Sequence, residues 1–93
     1  MSFSSIISDE LKEIIKKLYS KDKQLFLELN KKMLQIIDCD KDTINHYKNL
    51  RHDLSNYKRV HVGKSFVLLF SVDLKEKIVY FVKFAHHDKV YKK

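Results

Sequence analysis

The sequence predicts an α+β fold of order β-α-α-β-β-β, an antiparallel sheet with an N-terminal helical hairpin packed on one face. Two observations predict it. Apolar residues recur at helical spacing in two early runs joined by a short polar link. From Tyr57 onward the period changes to two, in three segments rich in Val, Ile, Phe and Tyr. A chain of 93 residues suits one domain, 1–93.

Residues 3–7 end in β-branched side chains and read as a short edge strand. Ser8, followed by Asp9 and Glu10, is an N-cap with acids in the first turn. Leu11, Ile14, Ile15 and Leu18 then form one apolar stripe, giving a helix to about Tyr19. Asp22 caps a second helix carrying Leu25, Phe26, Leu29, Met33, Ile36 and Ile37. With only residues 20–22 between them, the two helices form an antiparallel hairpin. Residues 38–56 are polar, although Ile44, Tyr47 and Leu50 can pack. Strands follow at 57–62, 66–72 and 77–84, turned by Gly63-Lys64-Ser65 and by residues 73–76 into a meander.

Composition narrows the class. A hydrophobic fraction of 44% with 33% charged residues is globular. The one cysteine, Cys39, allows neither an internal disulfide nor a Cys-rich zinc site. No apolar run approaches membrane-spanning length, and the N-terminus lacks the pattern of a signal peptide, so a soluble, cytoplasmic protein is expected. The net charge is +7, and it is unevenly placed. Residues 1–45 hold eight Lys and eight acids, whereas residues 46–93 hold eleven Lys and Arg against four acids, an excess of seven. All five histidines lie in that second half. A basic, His-rich half suggests a face that meets a polyanion, although a Lys-rich surface also serves solubility.

Alternation sharpens the placement. In the strand at 57–62, Val60 and Val62 point toward the helices, while Arg59 and His61 share the opposite, open face. The last strand runs into His86-His87-Asp88. A metal site there is not expected, because adjacent histidines on extended backbone point apart and no further ligand stands at a recognisable spacing. Cys39 sits between Asp38 and Asp40 without a basic neighbour, which disfavours a nucleophilic thiol. His46 reads as a surface residue, and Tyr57 and Phe66 as packing residues.

Several motifs resemble the RelE/YoeB/YafQ group of bacterial and archaeal toxins. They are Asn49-Leu50-Arg51-His52-Asp53-Leu54, Tyr57-Lys58-Arg59-Val60-His61-Val62-Gly63, Phe66-Val67-Leu68-Leu69-Phe70, Ile78-Val79-Tyr80-Phe81-Val82 and Ala85-His86-His87-Asp88-Lys89-Val90-Tyr91. Each is weak alone; their order and spacing across nearly the whole chain are fairly specific. The resemblance implies the toxin of a type II toxin–antitoxin system, cleaving mRNA on the ribosome and neutralised by a short, acidic, RelB-like antitoxin. It places Arg59 and His61 at basic strand positions, His87 where many members have Arg, and Tyr91 at the terminal aromatic. His52, His61 and His86 resemble histidines of the YafQ-like subgroup. Val67 stands where a basic residue is often found, so an imidazole-based chemistry of YafQ type fits better than a lysine/arginine one.

Such chemistry suits these residues. RNA supplies its own 2′-hydroxyl nucleophile, and the site adds a base, an acid and a cation for the phosphorane. Imidazole, with an ordinary pKa of about 6.5, can serve as base or acid near neutrality. His61 is expected to pair with His86 or His87, with the choice of base left open. Arg59 grips phosphate, and Tyr91 stacks on or orients a base. Arg51, His52, Lys58, Lys64 and Lys89 are expected along the RNA, and no cofactor is called for. A ParE-like, gyrase-inhibiting toxin and a non-enzymatic basic RNA-binding module are the alternatives.

Overall fold

The computed structural model describes residues 3–49 and 56–91. Its elements are β1 (Ser4–Ile7), α1 (Asp9–Lys21), α2 (Lys23–Ile37), α3 (Lys41–Ile44), β2 (Lys58–Val62), β3 (Phe66–Asp73), β4 (Ile78–His86) and α4 (His87–Tyr91). The α+β class and the β-α-α-β-β-β order stand as expected, but the sheet is mixed and not wholly antiparallel, because β1 joins it parallel to β4. The two short helices, α3 and α4, are additions to it. The sheet has four strands in the order β1-β4-β3-β2. β2, β3 and β4 form the antiparallel meander, while β1 lies parallel to the far edge of β4. Among the described residues no helix is long and apolar enough to cross a membrane.

Each helix begins where a side chain replaces a missing carbonyl. The Leu11 N–H donates to Ser8 Oγ at 3.1 Å, and the Leu25 N–H donates to Asp22 Oδ1 at 3.1 Å. Asp22 also ends α1, its own N–H donating to Leu18 O at 2.8 Å. The expected three-residue link is therefore a single residue. Ser8 acts at longer range too: its hydroxyl donates to Val82 O at 2.8 Å, and its N–H donates to Phe81 O at 3.0 Å. The start of α1 is thus tied to the middle of β4.

The hairpin covers one sheet face. Leu11, Leu25, Leu29, Met33 and Ile36 pack with Val62, Leu68, Phe70, Val79, Phe81 and Phe84, and all are buried. Phe66 stacks on Phe84 with ring centroids 5.2 Å apart. Gly63 turns β2 into β3 at φ +63°, a left-handed conformation that favours glycine. The space around it would admit a Cβ, so its backbone angle is what calls for glycine.

The other face differs from expectation. β3 carries four consecutive buried residues, Val67, Leu68, Leu69 and Phe70, two on each face. Val67 and Leu69 are covered by Val90 of α4, with Tyr57 and Ala85 beside them, in a second small core. That face is closed over β3 and β4, because α4 folds back across it.

Ser8→Ala removes both the cap and the bond to Val82, whereas Asp22→Ala removes a cap alone. Urea unfolding should show a loss of about 1–3 kcal/mol for the first and about 1 kcal/mol for the second. Equal losses would mean that the Ser8–Val82 bond contributes nothing.

Candidate functional site

The histidines at the end of β4 are brought together by a change of backbone. His86 is the last strand residue, paired with Phe66 and edge-on to its ring at 5.7 Å. His87 begins α4, and its N–H donates to Ser65 O at 2.8 Å. The chain leaves the extended conformation between them, so the two imidazoles stack with centroids 4.7 Å apart and planes 27° apart. The expectation that they point apart is therefore corrected: it holds on a continuous strand and not at a strand–helix junction.

Asp88 reaches both rings. Its Oδ1 lies 3.1 Å from His87 Nδ1, and its Oδ2 lies 3.6 Å from His86 Nδ1. Its backbone N–H also donates to His86 Nδ1 at 3.2 Å. That last bond selects a tautomer. Neutral His86 accepts at Nδ1 and so carries its proton on Nε2. His87 Nδ1 stands at ion-pair distance from the same carboxylate. Two half-exposed imidazoles thus stand beside one carboxylate.

A second group lies on the α4 side of the sheet. The register aligns Arg59 with Leu69 and Lys83, and His61 with Val67 and Ala85. Arg59 and Lys83 flank Leu69 two strand spacings apart, about 10 Å between backbones. His61 is exposed on β2, and β3 separates it from the His86–His87 pair. The arrangement is a stacked imidazole pair with an oriented carboxylate at one corner, and a cationic row with a third imidazole across β3.

Proteins similar in sequence and others similar in fold are known. A protein of Methanocaldococcus jannaschii named as a toxin, RelE4, is 48% identical over 87 residues, covering 94% of this chain and 88% of its own length. The chain belongs to the RelE toxin family. A protein of Methanosarcina mazei, named only as uncharacterised, is 44% identical over 66 residues, covering 67% of this chain and 77% of its own. Among solved structures, the free E. coli toxin RelE, as an arginine-to-alanine double variant, superposes with a TM-score of 0.72 at 16% identity. That match covers 96% of this chain and 87% of the other. The Mycobacterium tuberculosis toxin–antitoxin complex RelBE2 matches with a TM-score of 0.66 at 15% identity, over 92% of this chain and 99% of the other. At such identities these structures speak for the fold alone. No family model matches the chain.

Within this RelE-family chain the remaining candidates fall in different places. Lys58 alternates onto the helical-hairpin face, where its ammonium donates to Tyr47 O at 3.1 Å and Asn49 Oδ1 at 2.9 Å. Burial pushes its pKa below the ordinary lysine value. Lys58 ties down the segment before β2. Lys64, in the turn beside Ser65, and Lys89 on α4 are exposed. Arg51 and His52 lie outside the described residues, as does the Tyr91 side chain. Burial, Asp40 and Asp38 all push the Cys39 thiol up, which disfavours a thiolate.

Two residues escaped the sequence reading. Asp88 neighbours His87 in sequence, but its contact with both imidazoles needs the turn into α4. Lys83 had a signal, since one step from the inward Phe84 puts it on the α4 side. Val67, the expected gap in a cationic site, is 0% exposed beneath Val90. A cation introduced there meets apolar side chains and no phosphate. Val67→Lys should cost about 3 kcal/mol or more, read as a sharp fall in thermal midpoint, while Val67→Ile stays near wild type.

Proposed function

We propose that this RelE-family chain is the toxin of a type II toxin–antitoxin pair and cleaves mRNA on the ribosome through imidazole chemistry of YafQ-like character. The observation that carries the reading is the 3.1 Å contact between His87 Nδ1 and Asp88 Oδ1. It orients an imidazole as a base, which a protein that only binds RNA or inhibits gyrase does not need. His87 Nε2 takes the proton of a ribose 2′-hydroxyl. O2′ attacks the adjacent phosphorus, the P–O5′ bond breaks, and the departing 5′-oxygen is protonated. The products are a 2′,3′-cyclic phosphate and a 5′-hydroxyl.

In-line displacement places the base and the acid on opposite sides of phosphorus. His86 is stacked against His87 and shares its side, so it suits hydrogen bonding to a phosphoryl oxygen. His61, across β3, suits the acid. Arg59 and Lys83 supply positive charge to the phosphorane, the guanidinium being able to grip two oxygens. Lys64 and Lys89 extend the positive surface along the RNA backbone. The same charge suits a short acidic antitoxin that folds on binding, and the likeness to a structure of a toxin–antitoxin complex supports such a partner. Toxin, antitoxin and translating ribosome would meet in the cytoplasm.

The test is mRNA cleavage on translating ribosomes, with cut sites mapped by primer extension. His87→Ala and His61→Ala should each lower the cutting rate roughly 10²–10⁴-fold with the fold intact. Asp88→Asn should give a smaller loss than His87→Ala. Wild-type rates in both histidine variants would remove these imidazoles from the chemistry, and uncut message with the wild-type protein would sink the nuclease reading.

A further inference from the structure

The cluster at the β4–α4 junction has a second chemical capability. We propose that His86, His87 and Asp88 form a binding site for a divalent transition-metal ion of the Zn²⁺ class. Among the described residues they make the one group of three or more His, Cys, Asp or Glu whose donor atoms gather, all within 4.8 Å of one another.

The spacing fits an ion. With metal–ligand bonds of about 2.1 Å, donors 90–109° apart lie about 3.0–3.4 Å from each other. His87 Nδ1 lies 3.1 Å from Asp88 Oδ1, and His86 Nδ1 lies 3.6 Å from Oδ2 of the same carboxylate. Donors as much as 4.8 Å apart must approach by up to about 1.4 Å to reach that range, which the two imidazoles do by rotating out of their stack. The side chains are 39%, 43% and 75% exposed and have room for it. Two imidazoles and one carboxylate favour Zn²⁺, Ni²⁺ or Cu²⁺ over Mg²⁺ or Ca²⁺, which prefer all-oxygen sets. Three protein ligands leave further positions for water.

The donor atoms are nearly prepared. His86 Nδ1 is unprotonated, accepting the Asp88 N–H, and an ion takes the place of that hydrogen bond. His87 Nδ1 stands 3.1 Å from the carboxylate, and a neutral imidazole that binds an ion through Nδ1 carries its proton on Nε2. With the proton there, Nε2 has no lone pair to accept the 2′-hydroxyl proton. Occupancy then switches off the base, a consequence that rests on the proposed nuclease reading. The binding site itself does not.

The test is calorimetric titration of Zn²⁺ into the tag-free, chelator-stripped full chain. Saturable uptake of one ion per chain is expected. His86→Ala, His87→Ala and Asp88→Asn should each weaken it about tenfold or more, and His61→Ala should leave it unchanged. Co²⁺ in place of Zn²⁺ should give visible absorption bands that vanish in His87→Ala. Absence of saturable uptake, or uptake unaltered in all three cluster variants with native circular dichroism, overturns the site. Zn²⁺ added to the ribosome assay at constant Mg²⁺ should suppress cutting. Tight binding without suppression supports the metal site and takes His87 out of the cleavage chemistry.

Discussion

The structure turns on the burial of β3 from both sides. Val67, Leu68, Leu69 and Phe70 are consecutive and all buried, and a strand sends successive side chains to opposite faces. One helical hairpin can cover only one of those faces. Val67 and Leu69 would stand in water unless another element crossed the second face, and α4 is that element. Burying a side chain of this size contributes about 1.5–3 kcal/mol, enough to hold a five-residue helix with little stability of its own. The place where Val90 must land then sets where β4 ends and where His87 and Asp88 stand.

The site is therefore a margin around an apolar patch. Leu69 sits between Arg59 and Lys83, and Val67 between His61 and Ala85. Positive charge is arranged at the rim of this second core, where water and polyanion can both reach it. Charge and burial do not compete for the same positions. The hairpin side shows the contrast, since Lys58 folds back onto Tyr47 and Asn49 and is spent on structure. The Ser8 hydroxyl joins the two sides by fixing α1 to β4 next to the step in register. That step, between Leu69 and Phe70 of β3, lets Lys83 and Tyr80 both face away from the hairpin.

Much of this was legible in the chain. Ser8 and Asp22 announce their helices because a short acceptor before an amphipathic run has one obvious use. Arg59 and His61 share the face away from the hairpin because β2 alternates without interruption. The same alternation puts Lys58 with Val60 and Val62, so its structural role was open to inspection. The unbroken run Phe66–Phe70 also carried information, since a half-covered strand alternates and a doubly covered one does not. What resisted reading was junction geometry. Neither the register step in β4 nor the bend between His86 and His87 follows from a period, because each depends on what packs above and below.

The sequence by itself determined the fold class, the helical hairpin, the order of the meander and the concentration of charge and histidine in the second half. Those properties are local or periodic, and a few residues in line suffice to state them. Only the tertiary structure decided that the second sheet face is covered, that Val67 lies in a core and that Lys83 joins Arg59. It alone stacked His86 on His87 and set Asp88 against both. The physical reason is that a side chain's partners across a sheet or around a turn depend on register and backbone direction. These are settled by burying β3 on both faces at once.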